Sequence, residues 1–266
     1  MSSTFSYDTT SANVVLSVFN EVSNHLVRAR DYFKTFAENI ETYRRGISCK
    51  DFAEVYEANR GLFRGGMAEL SRIIEKGDEL YDDLYNSAFD SSVKRGRELA
   101  YLFKDCVLSG AISRLYSMAI YLQWVFDKTV ECCLGKKQAK ERYFTWEEIE
   151  RTREEESFMD AITRGAEYGW DDVLVVFPLE DIDKYSDFCE YFSKHATVDN
   201  LAILFRGFSR YFMLVNNFVN SLVESVEQYK AGQVGRSAIM EPLRACEVKE
   251  VQIRIARRRG ETSGTA

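Results

Sequence analysis

Apolar side chains recur every three or four positions through the first forty residues of the chain. The members of this stripe are Val15, Phe19, Val22, Leu26, Ala29, Phe33, Phe36, Ile40 and Tyr43. A matching stripe near the other end of the chain comprises Leu201, Leu204, Phe208, Tyr211, Val215, Phe218 and Leu222. Because this spacing places the apolar groups on one face of an α-helix, both segments predict long helices that pack lengthwise against other helices.

Two more stripes with helical spacing lie between them. One comprises Phe52, Tyr56, Phe63, Leu70, Ile73, Leu80 and Leu84, and the other comprises Leu108, Ile112, Leu115, Ala119, Leu122 and Phe126. Proline, the strongest helix breaker, occurs only at positions 178 and 242. We therefore predict an all-α fold, an antiparallel bundle of long helices with coiled-coil-like seams.

Boundary signals divide the chain into three parts. We expect a flexible amino-terminal arm over 1–11, a single helical-bundle domain over 12–231 and a flexible basic tail over 232–266. Ser48 followed by Asp51 resembles a weak capping box at a helix start, and Gly232 is placed to end the last long helix.

Inside the domain, the sequence indicates one helix break and two close helix contacts. The break is expected at Asp90, where Asp and Ser residues compete with helical hydrogen bonds. Gly66 and Gly77 fall on an apolar stripe, where small residues let helix backbones approach each other, so we interpret them as helix-contact points or a mild kink in preference to turns.

The stretch from 145 to 195 has a different character. Thr145 and Glu148 form a capping box that predicts a charged helix reaching toward Arg164. The Val-rich run in 168–178 predicts an extended connector or a short helix before Pro178, and a further helix is expected over 179–195.

Charge is distributed unevenly although the total is only −7. Residues 145–200 contain 16 acidic and 5 basic side chains, a net charge of −11, whereas residues 201–266 have a net charge of +4. Because the acidic middle would repel phosphate, we expect no nucleic acid partner. The basic tail residues Arg254, Arg257, Arg258 and Arg259 are candidate interaction residues.

Six cysteines, Cys49, Cys106, Cys132, Cys133, Cys189 and Cys246, form no CxxC pair. Most lie in apolar helical stretches, which is typical of small buried hydrophobic groups. The first residues also lack the apolar core of a secretory signal. We therefore expect free thiols and a cytoplasmic, reducing location.

Membrane association is possible only at the surface. The longest uncharged run near the middle, Leu115 to Phe126, is too short to cross a bilayer. Adjacent Cys132 and Cys133 suggest S-acylation beside the lysines at 136 and 137, with buried core cysteines as the alternative.

Catalytic signals are scarce. The chain has two histidines, and no phosphate-binding glycine loop, nucleophile elbow or zinc-protease motif occurs in it. We therefore expect no enzyme activity and no cofactor.

One constellation favours a different hypothesis. Carboxylates at Asp78, Asp82 and Asp83, with Asn216, Asn220 and Glu224 spaced by four, look like the two magnesium-binding motifs of class I terpene synthases. The resemblance implies carboxylates on facing helices that hold metal against a diphosphate. Asn220 departs from the second of these motifs, in which Ser or Thr is usual at the middle position.

The predicted function is a non-catalytic helical scaffold or protein-interaction module, with a protein partner or self-association. A first alternative, by analogy of architecture, is a dimeric membrane scaffold of the BAR type. A second alternative is the magnesium-dependent diphosphate enzyme.

Overall fold

In a computed structural model, the residues described are 3–41, 48–87, 93–134 and 198–246. All of the regular secondary structure within these ranges is helical, so the all-α prediction is confirmed. The helices are α1 (Ser3–Glu41), α2 (Cys49–Glu75), α3 (Gly77–Asn86), α4 (Val93–Leu102), a π-helical segment (Phe103–Ile112), α5 (Ser113–Cys133), α6 (Val198–Lys230) and α7 (237–246).

The predicted stripes form the buried faces of these helices. In α1 every stripe residue from Val15 to Phe36 is buried, and all seven stripe residues of α2 and α3 are buried as well. The stripe from Leu108 to Phe126 is also buried along its whole length. Burial of about 1.5–3 kcal/mol per large apolar side chain makes these faces the main source of stability.

Two helix ends follow the predicted capping chemistry. The Ser48 hydroxyl accepts a hydrogen bond from the Asp51 amide at 3.1 Å and donates to the Asp51 carboxylate at 2.7 Å. After α6, Gly232 has a positive φ of 70°. Its amide donates to the Tyr229 carbonyl while that of Gln233 donates to the Gln228 carbonyl, the pair of bonds that defines a Schellman ending.

Two interruptions were not predicted from the sequence. Helix α2 ends at Glu75, and Lys76 forms a short turn before Gly77 opens α3. Between α4 and α5 the ten residues of the π-helical segment have wider turns, and Ser113 donates its amide to the Leu108 carbonyl five residues back. The break predicted at Asp90 lies outside the described residues, between the end of α3 at Asn86 and the start of α4 at Val93.

The described residues group into two compact units. The first unit contains 3–26, 71–87, 93–113 and 215–246, and the second contains 27–41, 48–70, 114–134 and 198–214. The single domain expected over 12–231 stays a prediction.

The first unit joins α1 to the carboxy-terminal helices. Phe19 stacks on Phe103 of the π-helical segment, with ring centroids 5.3 Å apart. The Ser23 hydroxyl donates to the Asn220 side-chain oxygen at 2.7 Å, which links α1 to α6.

The prediction of free thiols is wrong at three cysteines. Cys106 and Cys246 form a disulfide with their Cα atoms 5.9 Å apart, and Cys133 is disulfide-bonded as well. The first pair is separated by 140 residues, so only the fold brings the two thiols together. Local sequence context cannot show such a pairing.

Helices extend into both of the end segments that were expected to be flexible. Helix α1 begins at Ser3 and includes most of the expected arm over 1–11. Residues 237–246 of the expected tail form α7, whose Ile239, Met240 and Leu243 are buried. Arg244 of this helix also forms an ion pair with Glu98 at 2.7 Å. These apolar groups follow helical spacing within a segment of basic composition. Residues 247–266 lie outside the described residues, so the flexible tail expected there stays a prediction.

The second unit has an aromatic core. Phe33 and Phe36 of α1 lie among rings from α2, α5 and α6, with centroid distances of 5.0 to 6.2 Å. Those rings belong to Tyr56, Phe63, Phe126, Phe205, Phe208 and Phe212.

Helix directions in this unit follow from its polar contacts. Arg28 pairs with Glu69 at 2.9 Å, and Asn39 donates to Asn59 at 2.6 Å. Residue numbers rise along α1 while they fall along α2, so the two helices are antiparallel.

Several predictions lie outside the described residues. They are the charged helix from Thr145, the connector over 168–178, the helix over 179–195 and the tail residues Arg254, Arg257, Arg258 and Arg259. Within the described ranges, no helix combines the length and apolar character needed to cross a membrane.

The close contact predicted at Gly66 is confirmed and can be tested directly. A Cβ atom added there would lie 2.7 Å from the Phe33 ring, whereas one added at Gly61 of the same helix would meet no atom within 4 Å. We expect Gly66→Ala to lower the free energy of unfolding by about 1–3 kcal/mol through overpacking. Gly61→Ala should raise it by about 0.5–1 kcal/mol, because Ala favours the helix. Urea unfolding measures both, and equal effects would contradict the packing described.

Candidate interaction surface

A buried polar cluster in the second unit is the first group with unusual chemistry. The Tyr56 hydroxyl donates to one oxygen of Asp127 at 2.8 Å, and the Arg60 guanidinium donates to the other at 2.7 Å. The Tyr56 ring stacks on Phe126, the residue before Asp127. The Asp127 side chain is only 4% exposed.

Burial dominates the electrostatics of this cluster. Desolvation raises the pKa of Asp127 above its ordinary value, although the Tyr56 hydrogen bond and the Arg60 charge act in the opposite direction. Desolvation also raises the pKa of Tyr56, and the Asp127 charge adds to the effect. Because protein donors satisfy both carboxylate oxygens inside an aromatic core, we interpret the cluster as a structural link between α2 and α5.

A second group of polar side chains is open to solvent in the first unit. Helices α3 and α4 pack against each other and against the π-helical segment. Tyr81 and Tyr85 are one helical turn apart on α3, and both rings contact Tyr101 of α4 with centroids 5.9 and 6.3 Å away. Tyr101 is 52% exposed.

Cations lie over these rings. The Arg97 guanidinium is 4.9 Å from the Tyr85 centroid, and the Lys104 ammonium is 4.7 Å from the Tyr81 centroid. Lys104 also pairs with Asp78 at 3.5 Å. Desolvation raises the pKa of the Tyr81 hydroxyl, and its hydrogen bond with Tyr101 raises it further.

Helical spacing adds two charged residues to this group. Asp82 lies one turn from Asp78 on α3, and Lys94 lies almost one turn before Arg97 on α4. We call the whole set the tyrosine face, and it comprises Asp78, Tyr81, Asp82, Tyr85, Lys94, Arg97, Tyr101 and Lys104.

The tyrosine face has the composition of a contact surface. Tyr and Arg are the residues that most often dominate binding energy at protein interfaces, because they offer large rigid area together with polar groups. The ring contacts hold Tyr81, Tyr85 and Tyr101 in place before any partner arrives, which reduces the entropy lost on binding.

The residues of the magnesium hypothesis occupy different settings. Asp78, Asp82, Asp83 and Glu224 are exposed, and Asp78 pairs with Lys104. Asn220 accepts the Ser23 hydrogen bond, while Asn216 is 2% exposed and its side-chain oxygen accepts no hydrogen bond from the described residues. No group of three or more metal-ligating side chains occurs within the described ranges. Metal binding by these residues stays a hypothesis.

Sequence reasoning missed the tyrosine face. Tyr81 with Tyr85, and Arg97 with Tyr101, are each four residues apart, a spacing that places both members of a pair on one helix face. That signal was present in the sequence. The contact between the two pairs depends on the packing of α3 against α4.

Comparison of the chain with protein-family models, with curated proteins and with solved structures gave no match. What the chain does is therefore inferred from its own residues.

The buried cluster makes a pH-dependent prediction for Asp127→Asn. This change replaces the carboxylate to which Tyr56 and Arg60 donate by a neutral amide, so we expect a loss of about 1–3 kcal/mol in the free energy of unfolding at pH 7. The wild-type pKa is raised in the folded state, so the folded protein binds this proton more tightly than the unfolded chain does. The stability that this proton contributes is fully present at pH values below the Asp127 pKa of the unfolded chain. It is lost as pH rises through the Asp127 pKa of the folded protein.

The difference between wild type and Asp127→Asn should therefore widen as pH falls from 7 to about 4. Urea unfolding of both proteins across this range measures it. If the difference in unfolding free energy between the two proteins instead narrows as pH falls, the effects of Arg60 and Tyr56 on the Asp127 pKa outweigh that of desolvation.

Proposed function

We propose that the chain is a non-catalytic protein-interaction module that binds through the tyrosine face. The observation that carries this proposal is the cluster of exposed Tyr101 with half-buried Tyr81 and Tyr85. Arg97 and Lys104 lie over its rings. Exposed aromatic area of this kind favours association because burial removes apolar surface from water.

The rest of the first unit supports the face as a rigid platform. Behind α4, the Cys106–Cys246 disulfide ties the π-helical segment to α7, and Arg244 binds Glu98. A surface built on helices held in this way keeps its geometry better than one on loops. Rigid placement of the rings suits recognition by a protein partner.

The cytoplasmic location expected from the sequence stays a prediction. The argument from free thiols is lost, because disulfides persist mainly in oxidising compartments. The BAR-type membrane scaffold and the magnesium-dependent diphosphate enzyme stay alternatives, and no described contact favours either of them over the interaction module.

Photo-cross-linking in the cells that make the protein tests the proposal. A benzophenone amino acid replaces Tyr101, which keeps an aromatic ring at the centre of the face. We expect covalent adducts larger than the 30.7 kDa chain, because a bound partner covers position 101. The same substitution at the exposed Lys34 of α1 is the control.

Adducts at position 101 and none at position 34 support the tyrosine face as the contact surface. Adducts that are absent at both positions, or identical at both, would contradict it. Adding Arg97→Ala to the position 101 protein should reduce the adducts, because Arg97 contacts the Tyr85 ring.

A further inference from the structure

Opposite charges are separated across the tyrosine face. Its acidic edge is formed by Asp78 and Asp82 of α3, and its basic edge is formed by Lys94 and Arg97 of α4. The Asp78 side chain is 95% exposed even though it pairs with Lys104. Within the described ranges, Asp82, Lys94 and Arg97 form no ion pair. Three of these four charges are therefore available to a partner of the opposite pattern.

The three tyrosines lie where the two edges meet. Tyr81 and Tyr85 are on the same helix as the acidic edge, and Tyr101 is on the same helix as the basic edge. Arg97 lies against Tyr85, so the basic edge also borders the rings directly. The surface thus runs from the acidic edge, where Lys104 pairs with Asp78, across the tyrosines to the basic edge.

We propose that the tyrosine face binds the same face of a second copy of this chain. This inference depends on the proposed function, because it takes the tyrosine face as the contact surface and names its partner. In a two-fold dimer the same patch serves both subunits, so each contact between unlike residues occurs twice. A two-fold axis through the tyrosines brings the acidic edge of each copy against the basic edge of the other.

Charge complementarity favours a second copy of this chain over a partner that is uniformly acidic or uniformly basic. A wholly acidic partner would meet Asp78 and Asp82, and a wholly basic one would meet Lys94 and Arg97, each at a cost in repulsion. A second copy satisfies both edges at once. The tyrosines meet tyrosines at the centre, where aromatic pairs add to the burial of apolar area.

The face is small, which sets the expected strength. Eight residues cover less area than a standard interface of about 800 Å² per partner, so the dimer should be weak and transient. Exposed ion pairs are also screened by salt. We expect association that grows with protein concentration and decreases as ionic strength rises.

Sedimentation velocity of the full chain tests the proposal at low and high salt. The acidic-edge variant is Asp78→Lys with Asp82→Lys, and its control is Glu79→Lys with Asp83→Lys. The control carries the same charge change on exposed positions of α3 that lie off the face. The basic-edge variant is Lys94→Glu with Arg97→Glu, and its control is Arg95→Glu.

We expect the wild type and both controls to dimerise, and each edge variant to weaken dimerisation by about tenfold or more. An equimolar mixture of the two edge variants should form a mixed dimer, because one variant then has two basic edges and the other two acidic edges, so both pairs of facing edges are complementary. Mixing distinguishes lost charge complementarity from misfolding, since a misfolded variant would not regain association.

A wild type that stays monomeric at about 0.5 mM and low salt would overturn the proposal, since even weak interfaces associate at that concentration. Edge variants that dimerise like the wild type would overturn it as well. Cross-linking at position 101 distinguishes failure of the self-association proposal from failure of the proposed function. Adducts with other proteins only would keep the function and remove self-association, whereas an absence of adducts would remove both.

Discussion

The aromatic layer around Phe33 and Phe36 is the contact on which the second unit depends. These two rings project from α1 and meet rings from α2, α5 and α6. Because one face of α1 supplies contacts to three other helices, losing it would leave each of them with exposed apolar area. The close approach of Phe33 to Gly66 shows how tightly the layer is packed. Dense packing of this kind gives a core its single arrangement as well as its stability.

Polar chemistry is placed differently in the two units. In the second unit the Asp127 carboxylate is enclosed by its donors Tyr56 and Arg60, so it links α2 to α5 and is closed to ligands. In the first unit the tyrosines at 81, 85 and 101 are held by one another and still face water. The same residue types therefore have two roles, and exposure decides between them. This contrast directs the functional inference to the tyrosine face.

Much of the fold follows from local sequence because apolar spacing decides which side of a helix is buried. The stripes beginning at Val15 and Phe52, the cap at Ser48 and the ending at Gly232 needed nothing beyond neighbouring residues. The misses depend on tertiary contacts. Cys106 meets Cys246 across 140 residues, and Tyr56 meets Asp127 across 71. The tyrosine face belongs to the same class, since its i, i+4 pairs are visible in the sequence whereas the contact between them is not.

The most direct measurement compares Phe36→Ala with Tyr32→Ala, two aromatic truncations one turn apart on α1. Phe36 is 1% exposed and Tyr32 is 40% exposed. If the aromatic layer holds the unit together, Phe36→Ala should lower the free energy of unfolding by about 3–5 kcal/mol, because it leaves a cavity among four or more rings. Tyr32→Ala should cost about 1 kcal/mol, as expected for a partly exposed side chain. Similar losses for the two variants in urea unfolding would contradict the account.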